Sequence, residues 1–263
     1  MIDLVIGDTS QQSYYYPPRY IRIPSRGIDL NYLSDNKFNS VYITFAEQRI
    51  YEKNIDYIKP NFMYTLDIIN SLIDNSDKIV IFTSCELWSN KSGIISNDTP
   101  PDFNINNEYT LSKLLLFNEI KRLRIFDERY KKIVIIHPFY FNSVYRNKYF
   151  LFGKIFDSIV NEKLIEVGNL DFHRDMIHTK FLVEKCIEIN SDSVLGSGKL
   201  FNVRDFVMDL YNSFGMNYYE YVREDAKLIS TEKLIRANSY FEYRYNDLLS
   251  DTIEDIKKIK KND

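Results

Sequence analysis

Cysteine and histidine are scarce in this chain of 263 residues. The only two cysteines, Cys85 and Cys186, are too few for a disulfide framework or a cysteine metal site. The three histidines, His137, His173 and His178, lack a spacing typical of metal ligands, so we expect no metal. No histidine lies close to Cys85 in the sequence to activate its thiol, and a nucleophilic role for this cysteine is therefore not expected.

Long apolar runs and a strong net charge are also missing. No run approaches the roughly 18 residues that a membrane span needs, and residues 1–6 are typical of a strand rather than a signal peptide. We therefore expect a cytoplasmic protein that does not bind a membrane. The formal net charge of −3 argues against nucleic-acid binding, but it is compatible with a local basic pocket for a phosphorylated small molecule.

The composition is otherwise that of a globular protein, with 44% hydrophobic and 27% charged residues. Short apolar runs alternate with helical patterns in the first half, which predicts an α/β fold with a Rossmann-type, doubly wound parallel sheet. The predicted strands are residues 2–6, 20–23, 40–45, 78–82 and 133–136, and the predicted helices are residues 61–73 and 109–129.

The pattern loosens after residue 138. A helix is predicted over residues 153–161, a strand over 165–168, and a helix capped by Asn202 over about 203–214. We expect residues 1–138 to form a dinucleotide-binding domain. Residues 139–263 should form mainly a smaller C-terminal substrate-binding lobe, with segments that return to the sheet.

The turn after the first predicted strand occupies the place where a Rossmann fold binds a pyrophosphate. It begins at Gly7, but Ser10 and Ser13 stand where a dinucleotide enzyme has its second and third glycines. Serines can present backbone N–H groups, although their side chains crowd the phosphate. Two prolines, Pro17 and Pro18, should cut the first helix short.

The end of the second predicted strand offers further cofactor contacts. Arginine suits a 2′-phosphate, so Ser25 and Arg26 favour NADP over NAD, and a solvated surface arginine is the alternative. Asp29 follows at the start of the next helical region. Ala46, a small residue after the third strand, would line the cofactor groove.

Two stretches carry candidate catalytic side chains. The strand at residues 78–82 ends at Thr83 and Ser84, where active sites of open parallel sheets lie. If Tyr109 opens the following helix, Lys113 lies one turn on and on the same face. An ammonium there would lower the pKa of the phenol, and Ser84 could bond the same reacting oxygen. A Tyr-x-x-x-Lys spacing also arises by chance in a chain this rich in both residues.

Together these residues resemble the extended short-chain dehydrogenase/reductase family, the NAD-dependent epimerases and dehydratases. Gly7, Thr9 and Gln11 match the family's loop G-x-T-G-Q-x-G-S-Y. Tyr109 and Lys113 match its Y-x-x-x-K. Among its members, the GDP-sugar 4,6-dehydratases have a strand end that reads T-S-E-L-Y-G, which residues 84–89 resemble while keeping Glu86.

The second half resembles the same family. Residues 167–175 are similar to its G-N-L-D-x-x-R-D segment, residues 141–143 to the start of F-N-H-E, and residues 202–207 to S-V-R-E-F-V. The resemblance implies that Arg174 helps to bind a nucleotide diphosphate, for which a guanidinium is apt. A structural salt bridge of Arg174 is the alternative.

The resemblance implies hydride transfer between a nicotinamide cofactor and carbon 4 of a nucleotide-linked sugar. The predicted catalytic residues are Ser84, Glu86, Tyr109 and Lys113. The predicted cofactor-binding residues are Gly7, Thr9, Ser10, Gln11, Ser25, Arg26, Asp29, Ala46, Tyr109, Lys113 and His137, with NADP preferred and NAD as the alternative. The predicted substrate-binding residues are Cys85, Asn142, Arg146, Asn169 and Arg174, and a homodimer is expected.

Three reactions remain open at this point. Glu86 could move the proton on carbon 5 of a 4-keto sugar, which makes a 4,6-dehydratase-like reaction on a GDP-sugar the first hypothesis. Ser84, Tyr109 and Lys113 alone would suffice for an epimerase or a 4-keto reductase. The substituted glycines allow a third hypothesis, a relative that binds a nucleotide sugar without catalysis.

Overall fold

The computed structural model describes residues 2–49, 54–105, 107–225, 227 and 232–262. The strands are β1 Ile2–Ile6, β2 Ile21–Ile23, β3 Phe38–Ile43, β4 Ser76–Phe82, β5 Gly93–Ile95, β6 Ile133–Pro138, β7 Tyr140–Asn142, β8 Ile165–Gly168, β9 His173–Arg174, β10 Met176–His178, β11 Ser193–Leu195, β12 Phe201–Asn202, β13 Val222–Asp225 and β14 Ile235–Ala237. The α-helices are α1 Leu30–Asp35, α2 Tyr64–Leu72, α3 Glu108–Phe126, α4 Leu151–Asn161, α5 Thr179–Glu188, α6 Val203–Asn212, α7 Tyr218–Tyr221 and α8 Tyr245–Asn262.

A six-stranded sheet has the strand order β11-β6-β4-β3-β1-β2. Strand β1 pairs in parallel with β2 and β3, β3 pairs in parallel with β4, and β4 with β6. The C-terminal halves of the central strands are buried, and in β4 and β6 they are rich in β-branched residues, as expected for parallel strands that are covered on both faces. This architecture confirms the predicted α/β fold with a parallel Rossmann-type sheet.

Helices α2 and α3 pack on the apolar core of this sheet. Helix α2 buries positions 65, 68, 69 and 72, which is the helical spacing of one face. Helix α3 buries Leu116 and Ile120 in the same core, and these contacts position its first turn, where Tyr109 lies. The core consists of Leu4, Ile6, Leu33, Phe38, Val41, Ile43, Ile68, Ile69, Leu72, Ile73, Ile79, Ile81, Leu116, Ile120, Tyr130, Ile133 and Ile135.

The chain forms two compact units. The unit called here the sheet unit comprises Met1–Trp88, Asn97–Pro138 and Val183–Val194. The second unit comprises Ser89–Ser96, Phe139–Leu182 and Leu195–Asp263. Each unit is thus assembled from three separate segments.

The described residues of the second unit form four two-stranded sheets. Strands β7 and β10, β8 and β13, and β5 and β14 pair in parallel, whereas β9 and β12 are antiparallel. Helix α6 begins as predicted, because the side chain of Asn202 accepts a hydrogen bond from Asp205 N at 3.2 Å. None of the helices in the described part of the chain is both long and apolar enough to cross a bilayer.

Several element boundaries differ from the sequence predictions. The predicted helix over residues 61–73 begins instead with a π-helical stretch, Lys59–Met63, and continues as α2. Helix α3 starts at Glu108 because Asn107 caps it through Thr110 N at 2.8 Å. The segment between residues 89 and 107, predicted as a loop, contains β5.

Candidate active site

Lys113 is anchored at the carboxyl end of β4. Its Nζ donates a hydrogen bond to the carbonyl oxygen of Phe82, the last residue of that strand, at 2.9 Å. The lysine is only 3% exposed, and Phe82 O is the only acceptor for Nζ among the residues that the structure describes. Because Tyr109 precedes Lys113 by one helical turn, this contact holds the first turn of α3 beside the strand end that carries Ser84.

Burial strongly affects the charge of Lys113. Desolvation lowers the pKa of its ammonium to about 8, since a buried cation loses its hydration. An ammonium has three N–H donors, and Phe82 O takes one of them. The geometry leaves two donors for hydroxyl oxygens of a ligand.

Ser84 and Glu86 lie in one tight turn after β4. Residues Cys85–Trp88 form a 3₁₀ turn in which Glu86 N donates to Ser84 Oγ at 3.2 Å. Ser84 is buried and Glu86 is partly exposed. Since Ser84 Oγ accepts from the backbone, its own O–H can donate to an oxygen of a substrate. Cys85, predicted to bind substrate, is buried in the same turn.

Tyr109 is partly exposed at the start of α3. Its ring meets the ring of Tyr57 edge-on, with 6.4 Å between the centroids. Its carbonyl oxygen accepts a hydrogen bond from Ser112 Oγ at 2.6 Å. The sheet unit therefore carries the four predicted catalytic residues on two segments, the turn after β4 and the first turns of α3, which the Lys113–Phe82 hydrogen bond joins.

Asn61 supports this turn and was missed by the sequence analysis. It is fully buried in the π-helical stretch, where its Oδ1 accepts from Glu47 N at 2.8 Å. Its Nδ2 donates to Glu47 O at 3.0 Å and to Ser112 Oγ at 3.1 Å. Asn61 thus ties the loop after β3 to the turn that carries Tyr109. The sequence signal that could have revealed its role is an asparagine at a position of the predicted helix over residues 61–73 where an apolar side chain is expected.

His137, predicted to bind cofactor, is enclosed within the sheet unit. Its Nδ1 bonds Thr83 Oγ1, and the rings of Trp88 and Phe117 meet it edge-on at 5.0 and 5.4 Å between centroids. Desolvation lowers the pKa of the imidazole to about 4, so the ring is neutral at physiological pH. Its observed contacts hold Thr83, the residue before Ser84.

The turn after β1 packs against the residue that follows β3. Gly7 has a φ of +112°, and a Cβ there would meet Thr44 Oγ1 at 2.8 Å, so only glycine fits. Ser10 Oγ and Thr44 Oγ1 are 2.7 Å apart and hydrogen-bonded. This turn contains four of the predicted cofactor-binding residues, namely Gly7, Thr9, Ser10 and Gln11. A fifth, Ala46, lies two residues beyond Thr44.

The predicted residues after β2 have different environments. Arg26 is exposed and Ser25 partly exposed, so both side chains are accessible to a ligand. Asp29 caps helix α1, where its Oδ1 accepts from Asn31 N at 2.9 Å. This contact gives Asp29 a structural role that the sequence analysis did not predict.

The second unit holds the other predicted substrate-binding residues. The guanidinium of Arg174 stacks over the rings of Phe172 and Tyr140, with 4.5 and 5.1 Å to their centroids. Arg146 lies over the ring of Phe150 at 3.8 Å. Asn169 Oδ1 accepts from Asp171 N and Arg204 Nη2, and Asn142 ends β7.

Asp175 organises the segment that follows Arg174. Its carboxylate is fully buried and accepts from Ser197 N at 2.6 Å, Ser197 Oγ at 2.7 Å, Gly198 N at 3.0 Å and Ala237 N at 2.8 Å. A Cβ at Gly196 would lie 2.7 Å from Asp175 Oδ2, which explains the glycine there. Asp175 thus joins three distant stretches of the second unit.

The chain matches no known protein-family profile, and no curated protein resembles it significantly in sequence. Solved structures do resemble it in fold. RMD from Pseudomonas aeruginosa, complexed with NADPH, has a TM-score of 0.77 at 14% identity, covering 98% of this chain and 100% of that one.

Two further structures have similar scores. UDP-N-acetylglucosamine 4-epimerase from Methanobrevibacter ruminantium M1, in complex with UDP-N-acetylmuramic acid, has a TM-score of 0.75 at 12% identity, covering 100% and 99% of the two chains. The dTDP-glucose 4,6-dehydratase DesIV from Streptomyces venezuelae, with NAD and TYD bound, has a TM-score of 0.75 at 15% identity, covering 98% and 97%. At these identities the comparison shows that the chain has the Rossmann-like fold of these structures.

Proposed function

We propose that the chain catalyses NAD(P)-dependent chemistry at carbon 4 of a nucleotide-linked sugar. The observation that carries this proposal is the buried Lys113 ammonium, which is held at the strand end of Ser84 and one helical turn from Tyr109. The fold supports it, because structures of this fold include a UDP-sugar epimerase and a dTDP-glucose dehydratase. The sequence resemblance supports the same site residues.

The residues around Lys113 fit the ribose of a nicotinamide nucleotide. The two remaining N–H donors of a buried ammonium match the vicinal hydroxyls of a ribose, and without such acceptors they would be poorly satisfied. When bound, the nucleotide would supply or accept the hydride. NADP is favoured over NAD by Arg26. The residues that would hold it are Gly7, Thr9, Ser10, Gln11, Ser25, Arg26, Ala46, Tyr109 and Lys113.

Side chains of the protein would transfer the proton of the oxygen on carbon 4. Tyr109 exchanges a proton with the oxygen on carbon 4, and the Lys113 ammonium favours the phenolate form. Ser84 donates a hydrogen bond to the same oxygen, which stabilises charge that develops there. Arg174, whose guanidinium is oriented by two aromatic rings, would bind the diphosphate of the nucleotide sugar.

The position of Glu86 supports a 4,6-dehydratase-like reaction on a GDP-sugar as the first candidate. Glu86 and Ser84 share one turn, in which the backbone N–H of Glu86 donates to Ser84 Oγ, so the carboxylate-bearing residue is two positions from the group that would bind the carbon 4 oxygen. A 4-keto group acidifies the proton on carbon 5, and Glu86 would take that proton and deliver it to the hydroxyl that leaves carbon 6 as water. The hydride removed from carbon 4 would then return to carbon 6. The preference for GDP rests on the likeness of residues 84–89 to GDP-mannose 4,6-dehydratase.

Reduction of a 4-keto nucleotide sugar is the second candidate. It needs Ser84, Tyr109 and Lys113 but not Glu86. The observation that favours it is the structural similarity to RMD, whose structure contains NADPH, the reduced form of the cofactor.

Replacing Tyr109 with phenylalanine tests the proton transfer that both candidate reactions share. We expect turnover to fall by about 10²–10⁴-fold because the proton-transfer group is lost. The assay is product analysis with NADP and NADPH over GDP-, CDP-, UDP- and dTDP-sugars and their 4-keto derivatives. Tyr219→Phe, the same change at an exposed tyrosine, should leave turnover unchanged. Retention of full activity in Tyr109→Phe would show that the proposed site is wrong.

Replacing Glu86 with glutamine separates the two candidates. A dehydratase should lose formation of the 4-keto-6-deoxy sugar by about 10²-fold or more, whereas a 4-keto reductase should keep its rate. Mass spectrometry of the sugar product distinguishes them by the loss of water. Glu128→Gln, whose side chain is 83% exposed, is the control. Unchanged dehydration in Glu86→Gln would exclude Glu86 as the base.

A further inference from the structure

A cavity of about 310 Å³ lies in the second unit, where the turn at residues 196–199 meets β14 and the residues after it. Glycine lets the two segments approach closely. Gly198 has a φ of +73°, and a Cβ there would lie 3.3 Å from both Ala237 O and Ser239 Cβ. A Cβ at Gly196 would lie 2.9 Å from Ala237 Cβ. The turn therefore packs against the strand, and side chains from both segments line one cavity.

Two cations and an amide line this cavity without a side-chain partner among the residues that the structure describes, namely Lys199, Arg236 and Asn238. Lys199 belongs to the turn and Arg236 to β14, so the cations come from opposite walls. Glu242, the acidic side chain that also lines the cavity, is paired with Arg244 Nε at 2.8 Å. The cavity is therefore locally positive, although the whole chain has a formal net charge of −3.

Part of the cavity wall is apolar. Ile94 lies beside Arg236 in the register of β5 and β14, and it is 56% exposed. The ring of Phe241, which meets Phe181 edge-on at 6.3 Å between centroids, also lines the cavity. The backbone offers less, because Lys199 N and Phe241 N already donate to serine hydroxyls of the same unit. A ligand would therefore be recognised by the three polar side chains and by apolar contact.

These groups suit the phosphate ester of a small organic molecule. A guanidinium offers five N–H donors in a planar fork and an ammonium offers three, which match the three terminal oxygens of a phosphate monoester. Such a group carries about −1.5 to −2 charges at pH 7, so two cations neutralise it. A carboxylate has a single charge and would leave one cation unpaired. The apolar wall would contact the organic part of the ligand.

The two walls of the cavity share one buried anchor, Asp175. Its carboxylate accepts hydrogen bonds from Ser197 N and Gly198 N on the turn and from Ala237 N on β14. The residue before it is Arg174, the proposed ligand of the nucleotide-sugar diphosphate. A ligand that bridges the two walls would therefore stabilise the same hydrogen bonds that position the backbone at Arg174.

We propose that this cavity is an effector site for a phosphorylated small molecule, and that its occupation strengthens nucleotide-sugar binding at Arg174. Lys199, Arg236 and Asn238 hold the phosphate and so bridge the two walls. The bridge stabilises the arrangement of Asp175 in which Arg174 is oriented for a diphosphate. Coupling of binding free energies is reciprocal, so the nucleotide sugar also strengthens effector binding. Binding in the cavity does not depend on the proposed function, whereas the coupling rests on it.

Calorimetric titration of the full chain with phenyl phosphate tests the site. We expect saturable binding with a Kd of about 1 mM or tighter. Arg236→Gln and Lys199→Met should each weaken this binding by at least about fivefold, because each removes one charged donor. Lys257→Met, the same change at an exposed lysine of α8, should leave it unchanged. No saturable binding up to about 10 mM, or equal affinity of the wild type and both cavity variants, would overturn the proposal.

The coupling is measured as the affinity for GDP with and without saturating phenyl phosphate. In the wild type we expect GDP to bind at least about fivefold more tightly when phenyl phosphate is present. In Arg236→Gln the addition should have no such effect. Unchanged or weaker GDP binding in the wild type would refute the effector role. A chain that binds phenyl phosphate but neither GDP, UDP nor dTDP at millimolar concentration would refute the nucleotide-sugar function and the coupling, but not the phosphate site.

Discussion

Lys113→Met is expected to abolish turnover and, at the same time, to stabilise the folded protein. The pKa of the lysine falls from 10.5 to about 8 on burial, which corresponds to about 3 kcal/mol of unfavourable free energy for the buried charge. Methionine removes that charge with little change in shape and loses the hydrogen bond from the ammonium to Phe82 O, which contributes about 1.5–3 kcal/mol because its donor is charged. We therefore expect a net gain of up to about 1.5 kcal/mol at neutral pH, and a loss of activity of at least about a hundredfold.

The pH dependence of this gain has a definite sign. Below pH 8 the lysine is protonated in both the folded and the unfolded chain, so the full cost of burying the charge is present. Between pH 8 and 10.5 the folded lysine is neutral while the unfolded one is still charged, and the cost fades as pH rises. The advantage of the variant should thus be largest below pH 8 and disappear near pH 10.5.

Thermal unfolding followed by circular dichroism between pH 6 and about 10.5 measures this difference. Lys121→Met provides the matched control, because the same change at an exposed site should give no such pH-dependent gain. A Lys113→Met variant that is less stable than the wild type at pH 7 would contradict the expected result. It would mean that the hydrogen bond of the ammonium to Phe82 O outweighs the cost of burying the charge.

Asp175→Asn is expected to destabilise the protein by about 2–4 kcal/mol. Its two carboxylate oxygens accept from three backbone N–H groups and one hydroxyl, and an asparagine replaces one acceptor with an NH₂ donor. At least one buried donor then faces another donor. The residue volume hardly changes, so the lost free energy of unfolding comes from hydrogen bonding and not from a cavity.

Chemical unfolding of the full chain measures the free energy of unfolding of this variant. The control is Asp171→Asn, whose carboxylate is 59% exposed and should change stability by less than about 1 kcal/mol. If Asp175→Asn were as stable as the control, the buried carboxylate would not hold the turn at residues 196–198. Because Arg174 is the preceding residue, we also expect the KM for nucleotide sugar to rise.

The central sheet was predictable because its signals are local. Strands β4 and β6 are runs of β-branched residues, and the helical spacing of α2 is visible in its own sequence. The three-residue strands were not predictable, because their stability comes from distant partners. Strand β5 carries only Gly93, Ile94 and Ile95, and it is a strand because it pairs with β14.

Some residues of the candidate site were likewise predictable from local sequence, and others were not. The placement of Tyr109 and Lys113 follows from helical spacing, and that of Ser84 from the end of a strand. The role of Asn61 depends on Glu47 and Ser112, and that of Asp175 on Ser197 and Ala237, none of which is a sequence neighbour. The hydroxyl of Ser10, expected to crowd a phosphate, instead bonds Thr44 across 34 positions of sequence.

The pairing of β5 with β14 has a consequence for synthesis of the protein. Strand β5 lies between Glu86 and Tyr109, yet its partner is made roughly 140 residues later, so at about 5–20 residues per second it waits on the order of ten seconds. During that time the Ile94–Ile95 edge is open to wrong partners, including other nascent chains. A fragment ended at residue 138 would keep this edge unpaired permanently and would lack the segment Val183–Val194 of its own unit. The two units should therefore be produced as a single polypeptide.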